Sequence, residues 1–389
     1  MDKKSSIKNK KKICFVITSE IHYARNRLIL EALRAHKNVD LQIVVGASAI
    51  LPAYGNVPEL LLRDGFPCSA KIMMTVEGSN PLAMAKTAGL GLGEFATAFD
   101  NLSPDCVVVR GDRYEVLAAA VAAAYLNIPL AHIEGGDTAG NLDEGIRHAI
   151  TKISHIHFST NESSRKRIIR MGENPRFVFN VGSPEVEFVA RLKSKMQSRL
   201  VNYWGVGDAI DLRKPYLLVM NHPVMTEYGK NRKNTEELLG AIHEVNIPTV
   251  WFWPNVDAGA DEISKAIRTF RETANPKNIR FIKYLPPEDF YGLLTHTECL
   301  VGNSSSGIKE CSYLGTPVVN IGTRQNGRAR GENVMDARCL KNDIKSAIQK
   351  QIKHGKYKKS GIYFKKGTSK RIADILFKCN PSIQKIFFE

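Results

Sequence analysis

Short apolar runs alternate with amphipathic helical patterns along the whole chain of 389 residues. In the first half, runs rich in β-branched residues predict strands at KKICFVI, VDLQIVVG, PDCVVVRGD, IPLAHIEG, HIHFST and RFVFNVG. Helical patterns separate them, at RLILEALRAH, residues 84–99 and EVLAAAVAAAYL. After Gly182 the alternation restarts, with strands predicted at PYLLVMNHP, PTVWFWPN, IRFIKYLP, ECLVGNS and PVVNIG and helices between them.

Alternating strands and helices predict parallel sheets that are covered by helices on both faces. We therefore expect an α/β protein with two Rossmann-like, doubly wound domains. The predicted boundaries are 1–190 for the first domain, 191–370 for the second and 371–389 for a C-terminal helix and tail. The last helical pattern, near residues 368–377, is expected to pack on the first domain.

Composition places the chain among soluble globular proteins, with 43% apolar and 24% charged residues. The longest apolar stretch, 116–133, is divided by Asn127 and Pro129 into a helix and a strand, so it predicts buried core and no membrane span. The seven cysteines are scattered, without a CxxC pair or a nearby His cluster. That pattern favours reduced thiols, a cytoplasmic location and no structural zinc.

The net charge of +16 raises the question of a nucleic-acid partner. Six lysines lie within the first twelve residues, and others crowd the segment 353–371. Neither segment interleaves aromatic residues at a spacing suited to base stacking, so we interpret both as solvated tails. A basic cleft for an anionic small molecule accounts for the remaining arginines equally well.

Polar clusters follow the predicted strands of both halves: TSEIHYAR, RGDRYE, HIEGGD, NHPVMTE, WPNVDAG, GNSSSG and IGTRQNGR. In open parallel sheets, ligands bind beyond the carboxyl ends of the strands. Two halves that both carry such clusters predict a binding site in the cleft between the domains.

The segment GNSSSGIKE predicts a phosphate site, because serines lie between a strand and a helix that begins near Gly307. Ser304, Ser305 and Ser306 offer hydroxyls, and Glu310 follows one turn later for ribose hydroxyls. Arg324, Arg328 and Arg330, after the next strand, are close enough to neutralise a diphosphate. The alternative is an ordinary helix N-cap beside a solvated basic loop.

Carboxylates dominate the clusters of the first half: Asp112, Glu115, Glu134, Asp137, Asp143 and Glu144, with His132 nearby. Several carboxylates that face one cleft raise one another's proton affinity, as abstraction of a proton from a weakly acidic carbon requires. Metal binding is the rival interpretation, but no DxD pair or His triad supports it. Asp143 has a second interpretation as a helix cap, and His222 lies at a strand end opposite the carboxylates.

Together, RGDRYE, HIEGGD, DEGIRHAITK, NHP, WPNVDAG, GNSSSGIKE and GTRQNGR resemble the UDP-N-acetylglucosamine 2-epimerases, and the hydrolysing branch more closely than the non-hydrolysing one. The resemblance runs over nearly the whole chain and implies a GT-B-type arrangement of the two domains, a nucleotide-sugar substrate and a homodimer. It implies no metal and no nicotinamide cofactor, while the apolar and charge patterns described above predict neither a membrane nor a nucleic-acid partner. The implied reaction removes H2 of the sugar as the nucleoside diphosphate leaves C1, then adds water to the resulting 2-acetamidoglucal.

The resemblance also assigns residues by position. The catalytic candidates are Asp112, Glu134, Asp143, Glu144 and His222. The substrate-binding candidates are Tyr23, Arg113, His132, Arg147, Asn255, Ser304, Ser305, Ser306, Gly307, Glu310 and Arg324.

One stretch departs from the family. Where members carry an Arg-Ala-Asp-Tyr-like loop after the first strand, this chain has Glu20, Ile21, His22 and Tyr23. Since a carboxylate beside a diphosphate is unfavourable, either Arg25 or Arg27 supplies the missing charge, or the ligand has another base, such as guanine, or a di-N-acetylated 6-deoxy sugar. Two other functions stay open at this point: a GT-B glycosyltransferase that needs an acceptor, and a non-catalytic nucleotide-sugar sensor.

Overall fold

Two seven-stranded sheets, each with helices on both faces, organise the molecule. The structure is a computed structural model and describes residues 10–192 and 198–389. The N-terminal basic segment, interpreted above as a solvated tail, lies outside this range up to residue 9. We call the half built on the first sheet the first lobe and the half built on the second sheet the second lobe.

The first sheet has the order β3-β2-β1-β4-β5-β6-β7, and all its strand pairs are parallel. Its elements are β1 (Lys11–Ile17), α1 (Glu20–Arg34), β2 (Val39–Gly46), α2 (Val57–Arg63), β3 (Ala70–Ile72), α3 (Pro81–Leu102), β4 (Cys106–Arg110), α4 (Tyr114–Tyr125), β5 (Leu130–Ile133), α5 (Asp143–Ile153), β6 (Ile156–Ser159), α6 (Glu162–Arg170), β7 (Val178–Asn180) and α7 (Pro184–Arg191). The central strands are buried on both faces, which explains their continuous Val- and Ile-rich runs.

The second sheet has the order β14-β13-β12-β9-β10-β11-β8, parallel except for the antiparallel edge strand β8. Its elements are α8 (Ser198–Trp204), β8 (Val206–Gly207), β9 (Leu217–Met220), α9 (Asn231–Val245), β10 (Thr249–Phe252), α10 (Ala260–Ala274), β11 (Ile279–Ile282), α11 (Pro287–His296), β12 (Cys299–Gly302), α12 (Ser305–Ile308), α13 (Glu310–Leu314), β13 (Val318–Ile321), β14 (Val334–Ala337) and α14 (Lys341–His354). The prediction of an α/β protein with two Rossmann-like sheets is confirmed.

The chain returns to the first lobe at its end. Helix α15 (Thr368–Lys378) packs beside α1, and its buried Ile372, Ala373 and Leu376 join the apolar core of the first sheet. The C-terminal helix therefore ties the two lobes together covalently at a second place.

Helix α1 begins earlier than its apolar pattern predicts. The sequence indicates a helix from Arg27, but the structure begins it at Glu20. Ser19 has an extended backbone and its hydroxyl accepts from the N–H of His22 at 3.3 Å, which caps the first turn. The segment TSEIHYARNR is consequently two helical turns after a two-residue link, and not a loop.

Candidate active site

A cavity of about 610 Å³ lies between the two lobes, where the carboxyl ends of both sheets face each other. Strand ends of the first lobe contribute acids and arginines to its wall, and those of the second lobe contribute hydroxyls, amides, Asp257 and Arg324. Of the residues that the sequence proposes for the site, the cavity brings together Asp112, Arg113, Glu134, Asp143, His222, Asn255, Ser304, Ser305, Ser306 and Arg324.

Two other proposed residues support this wall from behind. The buried ring of His132 lies 2.8 Å from the Gly111 carbonyl through Nε2 and 3.1 Å from the Thr151 hydroxyl through Nδ1. Arg147 donates to Asp112 and to the carbonyl of Asp137. These contacts fix the turn that carries Asp112, so His132 and Arg147 are placed to orient this carboxylate and not to reach the cavity.

The remaining proposed residues also lie off the wall. The hydroxyl of Tyr23 donates to Asp64 at 2.5 Å, and its ring is in the core. The Glu144 carboxylate accepts from the Ala139 N–H at 2.6 Å. Gly307 contacts the sheet, and buried Glu310 accepts from the Ser306 hydroxyl at 3.2 Å while its other oxygen has no partner among the described residues.

Two carboxylates from opposite lobes, Asp143 and Asp257, line the cavity near enough to influence each other's charge. Burial raises the pKa of Asp143, the nearby charge of Asp257 raises it further, and Arg324 opposes both. For Asp257, burial is outweighed by Arg113 and Arg324, so its pKa is lowered. Environments that push two neighbouring pKa values apart are typical of an acid/base pair. Asp143 is therefore the carboxyl in this pair with the higher affinity for a proton.

Glu134 behaves differently from the expectation that clustered acids raise one another's pKa. Burial alone would raise its pKa, but the cations Lys309 and Arg110 outweigh burial and hold it well below the usual range. Arg110 donates from Nε at 3.0 Å, and the Lys309 ammonium donates to the other oxygen. Glu134 is accordingly a permanent anion at neutral pH.

His222 is a neutral ring at the end of β9. Burial, together with Arg324, lowers its pKa to about 3. Its Nδ1 lies 3.4 Å from the backbone N–H of Asn255, and its own backbone N–H donates to Asn303 at 2.8 Å. With Nδ1 as acceptor, Nε2 carries the hydrogen, so the ring can donate a hydrogen bond to an anion without first being protonated.

Guanidinium groups on the wall have unused donors. Nη2 of Arg113, Nε of Arg324 and Nη1 of Arg328 are inaccessible to water and have no hydrogen-bond partner among the described residues. A buried donor without a partner costs about 1–3 kcal/mol, and more when it is charged. Three such donors around one cavity, beside the serines of the 304–306 turn, favour an anionic ligand with several acceptor oxygens.

Several cavity residues escaped the sequence analysis or were left unresolved by it. Arg25 lines the wall and donates to Ser305 at 3.1 Å, whereas Arg27 turns outward to Glu288 at 3.2 Å. Of the two arginines considered for the missing charge, Arg25 is therefore the one at the site. Its position two turns into α1 follows once Ser19 is recognised as the cap. Arg110 looks in the sequence like a strand residue, and no local pattern indicates its two buried carboxylate partners.

Glu20, where the sequence departs from the family pattern, also lies on the cavity wall. Its carboxylate approaches Tyr284 of the second lobe, and burial raises its pKa to about 7 although that hydrogen bond lowers it. His22 is buried against the Thr18 hydroxyl at 3.0 Å, and burial lowers its pKa far below the usual value. His22 is therefore neutral at pH 7, and Glu20 carries less negative charge there than an ordinary carboxylate, which limits its repulsion of a diphosphate.

Over the described ranges, 10–192 and 198–389, no three His, Cys, Asp or Glu side chains are grouped to hold a metal ion. Nor does any helix in this part of the chain have the length and apolar character to cross a membrane.

Comparisons with known proteins place these features in a family. The sequence model of the UDP-N-acetylglucosamine 2-epimerase family matches residues 31–377. A UDP-N,N'-diacetylbacillosamine 2-epimerase (hydrolyzing) from Legionella pneumophila is 33% identical over 366 residues, which cover 94% of this chain and 95% of that protein. The polysialic acid biosynthesis protein P7 of Escherichia coli is 33% identical over 341 residues, 87% of this chain and 85% of its own length.

A solved structure shares the fold. The crystal structure of UDP-GlcNAc 2-epimerase from Neisseria meningitidis bound to UDP-GlcNAc superposes with a TM-score of 0.77 at 17% identity, covering 95% of this chain and all of that one. The two-domain, GT-B-type arrangement implied by the sequence is thereby confirmed.

Proposed function

We propose, from the premise that the chain belongs to the UDP-N-acetylglucosamine 2-epimerase family, that it is a hydrolysing 2-epimerase of a UDP-linked 2-acetamido sugar. In the first stage, the C2–H and C1–O bonds break, the proton passes to a carboxylate, the electron pair forms the C1=C2 bond and UDP leaves. In the second, water supplies the hydroxyl at C1, and C2 receives a proton on the opposite face. The products are UDP and a free sugar of the N-acetylmannosamine type.

The single observation that carries the proposal is the composition of the cavity wall. It combines carboxylates of the first lobe and serine hydroxyls of the second with unpartnered guanidinium donors from both lobes. A hydrogen on an acetamido-bearing carbon is weakly acidic, so its removal depends on strong stabilisation of the leaving diphosphate. Closure of two lobes supplies both requirements in one water-poor space.

The roles follow from the charge states. Asp143, whose pKa is raised, is the proposed group that exchanges a proton with C2. Asp112 carries out the proton transfer on the other face, with one oxygen held by Arg147. Glu134 stays ionised and stabilises the positive charge that develops at C1. Neutral His222 donates to the departing diphosphate.

We propose two candidate substrates. UDP-N-acetylglucosamine is the first, because it is the substrate in the name of the family. UDP-N,N'-diacetylbacillosamine is the second, because a relative that is 33% identical over 94% of this chain carries that substrate in its name. The change from the family pattern at Glu20 lies on the cavity wall and supports testing both.

The test is chromatographic detection of free nucleoside diphosphate and free sugar after incubation with each donor. We expect release from at least one UDP-linked 2-acetamido sugar without any added acceptor. Asp143→Asn should abolish release, whereas Glu144→Gln, a neighbouring carboxylate off the cavity wall, serves as the matched control and should retain it. No release from UDP- or GDP-linked N-acetylglucosamine or diacetylbacillosamine overturns the proposal, and release that requires an acceptor favours a glycosyltransferase.

A further inference from the structure

Lys309 is a fully buried lysine that crosses from one lobe to the other. It belongs to the second lobe, at the junction of α12 and α13, and has no solvent exposure. Its ammonium donates to Glu134 and lies 3.3 Å from Asp137 and 3.8 Å from Glu185. All three carboxylates belong to the first lobe, so this one cation is enclosed by acids of the opposite half of the molecule.

The acids around Lys309 outnumber the cations that contact them directly. Arg110, the other direct partner, pairs with Glu134 and Glu185. Asp137 accepts instead from the hydroxyls and amide of Thr160, Asn161 and Ser164. Without Lys309, one direct cation would face three buried carboxylates. A buried charge that loses its partner takes up a proton rather than remain ionised.

Of the three carboxylates, Glu134 depends most directly on Lys309. It forms the shortest of the Lys309 contacts and lies on the cavity wall. The other charges that act on Glu134 come from every element around it: Arg25 on α1, Arg110 on β4, Arg328 after β13 and Glu185 on α7. Tyr363 places its ring 5.7 Å from the Lys309 ammonium and adds no charge.

The same short segment serves the cavity and the ion cluster. Ser305 and Ser306, on the cavity wall, lie four and three residues before Lys309. In a helical turn, residues three and four apart are neighbours on one face. Any movement of the second lobe that brings the serines to a diphosphate therefore also brings the ammonium to Glu134.

We propose that Lys309 is a positioning residue: it holds Glu134 ionised and directed at the sugar, and it does so when the lobes are closed on the nucleotide. The inference rests on the proposed function and assigns a role to a residue that does not touch the cavity. Separation of the lobes removes the ammonium from Glu134, so the charge state needed for the reaction is assembled together with the nucleotide site.

The test is the pH profile of kcat for Lys309→Met, Lys309→Gln, which keeps a hydrogen-bond donor, and Lys309→Arg, which keeps the charge. In both neutral variants, the acidic limb should move up by about one pH unit or more, with KM changed less than roughly threefold, because one unit corresponds to a single charge interaction of ordinary size. Lys309→Arg should restore the wild-type limb. Lys345→Met, which breaks an exposed pair with Glu244 in the same lobe, is the matched control.

A double-mutant cycle separates this role from a structural one. If Lys309 acts through Glu134, Lys309→Met combined with Glu134→Gln should be no slower than Glu134→Gln alone, within about twofold. The inference would be overturned if the double variant lost kcat by the product of the two single-variant losses. It would also be overturned if the acidic limb of the pH profile were unchanged in the neutral Lys309 variants.

A measurement on the wild-type protein stands even if the variants fail to fold. With ¹³C-labelled glutamate and saturating UDP, the Glu134 carboxyl signal, identified by its absence in Glu134→Gln, should have its titration midpoint below about 4.3. A midpoint above about 4.3, the ordinary value, contradicts the inference. Absence of turnover by the wild type contradicts the proposed function instead. The titration of Glu134 does not depend on turnover, so it still tests the role of Lys309.

Discussion

Replacing Arg324 with alanine should weaken nucleotide binding while leaving the unliganded protein almost as stable or more stable. Arg324 makes one hydrogen bond, from Nη1 to the Asn303 carbonyl at 3.1 Å, and keeps Nε buried without a partner. Losing the first costs about 0.5–1.5 kcal/mol, and removing the second recovers about 1–3 kcal/mol. These opposing contributions lower the free energy of unfolding by no more than about 0.5 kcal/mol, and at the other extreme raise it by about 2.5 kcal/mol.

With the nucleotide bound, the balance changes. A charge-assisted hydrogen bond to a diphosphate contributes about 1.5–3 kcal/mol, so Arg324→Ala should raise the Kd for UDP about 10- to 100-fold. At a UDP concentration of 100 times the wild-type Kd, ligand stabilisation should fall from about 2.7 kcal/mol to about 1 kcal/mol for a 30-fold weaker complex.

Calorimetric titration with UDP and thermal unfolding with and without UDP measure both quantities. Arg330→Ala is the matched control, because Arg330 lies on the same loop but pairs with Asp336 at 2.6 Å, off the cavity wall. Unchanged UDP affinity in Arg324→Ala, or equal loss in both variants, would refute the assignment of the diphosphate to this end of the cavity.

Three further outcomes are expected. Asp143→Asn should cut turnover about 100-fold or more with little change in UDP affinity, measured by steady-state kinetics and titration, and Glu144→Gln should do neither. Burial raises the pKa of Glu20 to about 7, so the folded protein binds a proton at this carboxyl more tightly than the unfolded chain does. The stability that this proton contributes is lost as pH rises from about 4.3, the ordinary pKa, towards 7. Glu20→Gln should therefore raise Tm relative to wild type at pH 8 but not at pH 4. Gly307→Ala should cost about 1–3 kcal/mol in urea unfolding, because a Cβ there would lie 2.9 Å from Val318 Cγ1; an unaffected midpoint would show that the turn has room.

The sequence predicts the cavity well because its logic is topological. Parallel strands place their carboxyl ends on one edge of a sheet, so polar residues after β4 and β5 had to share a region once the strands were recognised. The same reasoning places His222 at the corresponding edge of the second sheet, and the cavity between the two edges brings these residues together.

The charge state of a buried carboxyl depends on which residues pack around it in the folded structure, so it is harder to predict from the sequence. The expectation that clustered acids raise one another's pKa applies only in part to Asp143, because burial is the main cause of its raised pKa and the charge of Asp257 in the opposite lobe adds to it. For Glu134 it does not apply, because a lysine 175 residues away enters the cluster from the other lobe. In the sequence, Lys309 resembles an ordinary helical lysine between Ile308 and Glu310, and no periodic signal marks it as buried.

The first turn of α1 illustrates a different limit. The apolar pattern starts at Arg27, since Glu20 to Asn26 face a cavity or pack through polar contacts. A capping serine was the local signal for the true start, and recognising it would have placed Arg25 on the helix face toward the site.

The fate of the hydrogen at C2 tests the account most directly. In D2O, proton NMR of the reaction with the preferred UDP-linked sugar should show free sugar of inverted configuration at C2, carrying deuterium there, together with UDP. Free sugar that keeps its original C2 hydrogen would indicate simple hydrolysis, and an inverted sugar that stays attached to UDP would indicate epimerisation without hydrolysis; either result contradicts the account.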